Sequence, residues 1–109
     1  MRYGEVGYNL EIDLATGNIE RVETDPKILE THLGGLGTSV KLHWDRVPAN
    51  VGPFDDENML IFSSGVLNAT PAFSANRTVV TFMSPESGLL AYPMMGGFWS
   101  AELKYAGYD

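Results

Sequence analysis

Gly7-Tyr8-Asn9-Leu10-Glu11-Ile12-Asp13-Leu14, then Ala15-Thr16-Gly17-Asn18, then Ile19-Glu20-Arg21-Val22-Glu23, is the stretch on which the reading of the fold turns. The first run puts Tyr8, Leu10, Ile12 and Leu14 on one side and Asn9, Glu11 and Asp13 on the other, the period of two expected of a half-buried strand. Turn-forming residues and a second alternating run complete a β-hairpin.

Working outward, Thr24 or Asp25 can cap a helix that begins with Pro26, where the missing N–H costs nothing. That helix is expected over about 26–33, with Ile28, Leu29 and Leu33 on its inner face, and Gly34-Gly35-Leu36-Gly37 should end it. A second helix is expected from about Thr38 to Arg46, then an irregular connection through Pro48 and residues 49–57. Met59 to Ser63 reads as a short buried strand, and residues 64–76 form the longest loop in the chain. Arg77 to Met83 is β-branched at its centre and reads as a strand. Ser84 to Gly88 turns the chain, Leu89 to Tyr92 returns as a strand, and a final helix from Phe98 to about Tyr105 follows Gly96-Gly97. Strands in hairpins with helices inserted between them indicate an α+β fold, not alternating βα units.

A chain of 109 residues, 44% hydrophobic and 19% charged, is the size and composition of one globular domain. Its formal charge of −7 repels phosphate backbones and anionic lipid surfaces, so no nucleic-acid partner is expected. No stretch is apolar enough to span a bilayer and no signal peptide is evident, so a cytoplasmic protein is expected. The absence of cysteine removes disulfides, thiolate metal sites and iron–sulfur ligation from this chain.

Among candidate chemistries, Gly96-Gly97 before a helix start could cradle an anion, or could be a tight turn that needs positive φ. Arg77, between a loop of small residues and a largely uncharged strand, is expected to be partly buried, paired either with a carboxylate of the fold or with a ligand phosphate. Asn76 could hydrogen-bond a heterocycle or serve turn chemistry. Met94 and Met95, beside Phe98 and Trp99, are core residues or one wall of a pocket for a flat cofactor. His32 and His43 lie on separate helices without metal-ligand spacing and read as surface or helix-end residues. No serine has a nucleophile elbow, which discards a hydrolase.

Taken in order, the Thr16-Gly17 hairpin, Leu33-Gly34-Gly35-Leu36-Gly37, Pro53-Phe54-Asp55-Asp56-Glu57-Asn58, Gly65-Val66-Leu67-Asn68-Ala69-Thr70-Pro71, Arg77, Ser84-Pro85 and the run Gly96-Gly97-Phe98-Trp99-Ser100-Ala101-Glu102-Leu103-Lys104-Tyr105-Ala106-Gly107-Tyr108-Asp109 resemble the start of the tungsten-containing aldehyde ferredoxin oxidoreductase family. The likeness covers essentially the whole chain. It implies that residues 1–109 are an incomplete N-terminal tungstopterin-binding domain, the first half of a saddle of β-sheets against a tungsten ion held by two pterin dithiolenes. By position, Arg77 is similar to the family arginine at the pterin phosphates, and Asn76 stands beside it. Gly96 and Gly97, flanked by Met95 and Phe98, are similar to the glycine pair against the cofactor. The Met94 backbone carbonyl falls where the family contacts the bridging magnesium.

The resemblance also implies a 4Fe-4S cluster held by later domains or a partner chain, an iron–sulfur electron-transfer partner, and an aldehyde or aromatic acyl-coenzyme A substrate. A homo-oligomer is permitted. The variants Gly35-Leu36-Gly37-Thr38, Ala75-Asn76-Arg77-Thr78 and Met94-Met95-Gly96-Gly97-Phe98-Trp99 are similar to the tungsten subunit of ATP-independent (class II) benzoyl-coenzyme A reductase. The alternative is a stand-alone, non-catalytic assembly or scaffold subunit of the same fold.

Overall fold

A computed structural model describes residues 4–109. The hairpin forms from β1 (Tyr8–Ile12) and β2 (Ile19–Glu23), paired from Tyr8↔Glu23 to Ile12↔Ile19. Asp13 shapes its turn, because its carboxylate accepts from the Ala15 and Thr16 N–H groups at 2.9 and 3.3 Å and Gly17 takes φ +73°. Hydrogen bonds from Thr16 and Ala15 hold the Asp13 carboxyl below the usual aspartate range.

The burial of this hairpin is the reverse of what its alternation suggests. Leu10, Ile12 and Leu14 are exposed, whereas Glu11 on the other face makes a two-pronged ion pair with Arg46, both N–H···O distances being 2.7 Å. The polar face is thus the one turned toward the neighbouring helix.

Helix α1 (Pro26–His32) starts as expected, with Asp25 as N-cap accepting from the Lys27 N–H at 2.9 Å and proline at its first turn. It ends on a left-handed Leu33, φ 57°, and not on a glycine. Helix α2 (Gly35–Arg46) then begins three residues before the Thr38 expected from sequence. The glycines are there for contact: a Cβ on Gly37 would stand 2.1 Å from the His32 carbonyl oxygen, and one on Gly35 would stand 3.4 Å from the Gly65 Cα. Close approach of α1, α2 and the following strand outweighs the poor helix propensity of glycine.

The second sheet contains β3 (Ile61–Ser64), β4 (Arg77–Met83), β5 (Leu90–Ala91) and β6 (Met94–Gly96), with β4 central and every pairing antiparallel. β6 was not expected from the sequence. One register runs through Phe82↔Ala91 and Val79↔Met94, and the Val80 N–H donates to the Pro93 carbonyl at 3.0 Å. Proline has no N–H to return, so β5 and β6 are one edge strand interrupted at that rung. By antiparallel alternation, Val80 and its even-numbered neighbours turn their backbone groups to this edge, while Arg77, Val79, Thr81 and Met83 turn theirs toward β3.

Helix α2 packs on β3 and β4 through small side chains, with a buried 2.7 Å hydrogen bond between the Ser39 and Thr81 hydroxyls. Helix α3 (Trp99–Tyr105) covers part of the opposite face, burying Ser100 and Ala101. The fold is α+β. Among the described residues no helix is long and apolar enough to cross a membrane.

Candidate functional site

Arg77 opens β4 and Gly96 closes β6, and the two are direct partners across the ladder. Alternation makes them a non-hydrogen-bonded pair, the closer kind, and paired residues share a face. The arginine stem therefore rises beside a position with no side chain, where a Cβ would meet nothing within 4 Å. Gly97 follows with φ +112°, a conformation that side chains resist.

Arg77 is exposed, which corrects the expectation of partial burial. It occupies the last rung, and β3 has already ended at Ser64, opposite Thr78. Among the described residues no hydrogen bond or ion pair engages its guanidinium. Arg77 and Gly96 thus combine a free planar cation with adjacent open space, a combination suited to a phosphate.

Met94 shares the Arg77 face, while Met95, paired with Thr78, lies on the other. They cannot form one wall. Phe62 pairs with Val80 on the Met95 face, and its ring packs against Trp99 at a tilt of 42° with centroids 5.3 Å apart. The Met94 carbonyl belongs to a residue whose backbone groups point away from β4, off the free edge of the sheet, where a cation could reach it.

Phe98 is exposed and caps α3 with no side-chain hydrogen bond. The anion site expected at that helix start is weak, because α3 has seven residues and Glu102 occupies its first turn. Asn76 is exposed and its amide oxygen accepts from the Ala69 N–H at 3.5 Å, which is turn chemistry. The open groove of about 550 Å³ between α2 and the edge strand, lined by Leu36, Val40, Trp44 and Tyr92 among others, includes none of these residues.

Three residues to which the sequence assigned no role matter here, one at the site and two for the fold behind it. The Asn68 side-chain N–H donates to the Arg77 carbonyl at 2.8 Å. Lys104 is buried on α3 and donates to the carbonyls of Gly4 (2.5 Å) and Val66 (3.2 Å), with the Asp109 carboxylate 3.8 Å away. Burial pushes the Lys104 ammonium below the usual lysine range, against the pull of Asp109 and Glu5. Asp109 in turn accepts from the Val6 and Gly7 N–H groups at 2.9 and 2.6 Å. The end of the run 96–109 is therefore a clasp for the fold, and only its start faces the open edge. The one signal for Lys104 was a lysine between Leu103 and Tyr105 in a short helix.

His43 is buried on α2, not at the surface, and its Nε2 has no hydrogen-bond partner among the described residues. Among the described residues no group of three or more histidine, aspartate or glutamate side chains is placed to hold a metal.

The class that this architecture defines is an α+β domain in which, among the described residues, an arginine without a side-chain partner and an open glycine position meet on the last rung of the second sheet. The sequence matches the family "Aldehyde ferredoxin oxidoreductase, N-terminal domain" over residues 9–109, and the chain belongs to that family. The tungsten-containing aldehyde ferredoxin oxidoreductase of Pyrococcus furiosus is 36% identical over 107 residues, covering 98% of this chain and 18% of its own length. That of Thermococcus kodakarensis is 33% identical over the same span. Among solved structures, a chain of the active site complex BamBC of benzoyl coenzyme A reductase, in complex with 1,5 dienoyl-CoA, superposes with a TM-score of 0.97 at 60% identity. It is matched over 100% of this chain and 17% of its own. The chain thus spans less than a fifth of the length of these relatives.

Proposed function

We propose that residues 1–109 are the cofactor-cradling part of a tungsten bis-pterin, iron–sulfur oxidoreductase, and that an aromatic acyl-coenzyme A is its substrate in preference to an aldehyde. The single observation that carries the cradling role is the Arg77–Gly96 rung, a free guanidinium beside open space at the end of a sheet. Family membership supplies the cofactor class. The identity of 60% to a chain of the benzoyl coenzyme A reductase complex, against 36% to the Pyrococcus furiosus aldehyde enzyme, favours the acyl-thioester substrate.

The residues fit such a group. Arg77 would bind pterin phosphate through its planar fork, Gly96 and Gly97 would let the cofactor approach the backbone, and the outward Met94 carbonyl would offer a ligand to a bridging magnesium. The bound tungstopterin would supply electron exchange with the substrate. This chain supplies no iron–sulfur ligand, having no cysteine, so those ligands and the electron partner belong to further domains or another chain. Trp44, Phe54 and Phe73, exposed by 81, 87 and 98%, are consistent with such neighbours covering this domain.

Tungsten and pterin content of the complete protein tests the reading. Arg77→Lys and Gly96→Val should both lower it while the protein still folds, the first by losing the bidentate fork and the second by filling the open space with a strand-compatible side chain. Full occupancy in both variants would defeat the cradling role.

A further inference from the structure

From the ladder geometry we infer that Asn68 is a positioning residue for Arg77, its carboxamide replacing a strand partner that β3 does not provide. This rests on the reading that Arg77 grips cofactor phosphate.

The Arg77 carbonyl faces the β3 side of β4, where the next residue in register would be Gly65. Gly65 has left the ladder: it bridges Gly34, and its carbonyl accepts from the Asn68 N–H at 3.0 Å. The last rung would be left open on that side, but the Asn68 Nδ2 donates to the Arg77 carbonyl at 2.8 Å. Asn68 is buried, 5% exposed, although it lies in the longest loop. The same device closes the other end of β4, where the Asn58 Oδ1 accepts from the Met83 N–H at 3.4 Å.

The consequence concerns Arg77 because β6 holds the following Thr78 rung, whereas on the β3 side the Arg77 carbonyl is held, among the described residues, by Asn68 alone. The Arg77 side chain has no partner among the described residues, so its placement depends on its own peptide, whose carbonyl is fixed by Asn68. A cation held at its root loses less freedom on binding than one on a fraying strand end. Asn68 thus connects the loop 65–76 to phosphate binding without touching phosphate.

The test is a double-mutant cycle in the complete protein, reading the rate at which tungsten and pterin are lost on dialysis, with melting temperature as control. Asn68→Leu keeps the size and removes the donor. Alone, it should speed cofactor loss by about three- to tenfold, the range for one hydrogen bond. Combined with Arg77→Ala, it should add nothing. Additive effects, or no effect of Asn68→Leu in the parent, would overturn the inference. Should Asn68→Leu not accumulate as folded protein, Asn68→Ser enters the same cycle with the same two outcomes. Arg77→Ala alone separates the two levels: if it leaves cofactor retention unchanged, the phosphate role of Arg77 falls and the inference with it. If it accelerates loss while Asn68 acts additively, only the inference falls.

Discussion

Replacing Lys104 by methionine would remove the ammonium at the centre of the clasp while keeping most of the side-chain volume. The carbonyls of Gly4 and Val66 would lose their donor, and the Asp109 carboxylate would lose its nearby cation. Leaving a buried acceptor without its donor costs about 1–3 kcal/mol, and two carbonyls lose theirs. Asp109, 3.8 Å from the ammonium without a hydrogen bond to it, keeps its two backbone donors, Val6 and Gly7, so a total of about 3 kcal/mol applies. The loss should be local, because these contacts tie residues 4–7, 64–66 and 104–109 to one another. Hydrogen exchange on the complete protein reads it directly. The amides of Val6, Gly7, Ser64 and Asp109, all bonded within the clasp, should exchange roughly a hundredfold faster, since about 1.4 kcal/mol is a decade. The amides of Ile12 and Ile19, at the far end of the hairpin, should change little. Exchange at the four clasp amides within about threefold of the parent would refute the reasoning, because a side chain so placed cannot then be bearing the assigned load.

Further expectations follow from single residues. Glu11→Gln should destabilise by at most about 1 kcal/mol at neutral pH, as the Glu11–Arg46 pair is largely solvated. The Arg46 hydrogen bonds hold the Glu11 carboxyl below its usual range, so the pair's contribution is present above the usual glutamate value and is lost as pH falls through the lowered one. Melting curves of parent and variant should therefore converge in acid and in high salt, and a gap that persists at pH 2 would contradict the assignment. Gly37→Ala should cost about 1–3 kcal/mol, because its Cβ falls 2.1 Å from the His32 carbonyl oxygen; an unchanged melting temperature would show that the two helices do not meet there. Gly97→Ala should cost about 1–3 kcal/mol through its φ of +112°. Gly96→Ala, with open space and no positive φ, should stay within about 0.5 kcal/mol, so equal costs for the two would count against this backbone geometry.

The features legible in the sequence were those governed by local chemistry. The hairpin pairing, the Asp25 cap with Pro26, and β4 over Arg77–Met83 all follow from alternation, capping and β-branched residues. The early start of α2 at Gly35 was hidden, because glycine discourages a helix unless a neighbour needs the space. β6 was hidden as well: Met94-Met95-Gly96 has no period of its own and becomes a strand only by continuing the register of β4 past Pro93. At the candidate site, the sequence singled out Arg77 and Gly96, but that they share a rung is a matter of pairing between segments nineteen residues apart. Asn68 resembled any loop asparagine until its amide was found against the Arg77 carbonyl.

By itself the sequence determined which residues share a face, where the first helix begins, and that this chain holds no thiolate for a metal cluster. Only the tertiary structure decided which face is covered. Alternation in β1 separates Leu10 and Ile12 from Glu11 whichever way the hairpin turns, and in the folded chain it is the Glu11 side that meets the Arg46 guanidinium on α2. Periodicity is a property of one strand, whereas burial belongs to the pair of surfaces that meet, and the second surface is supplied by a distant part of the chain.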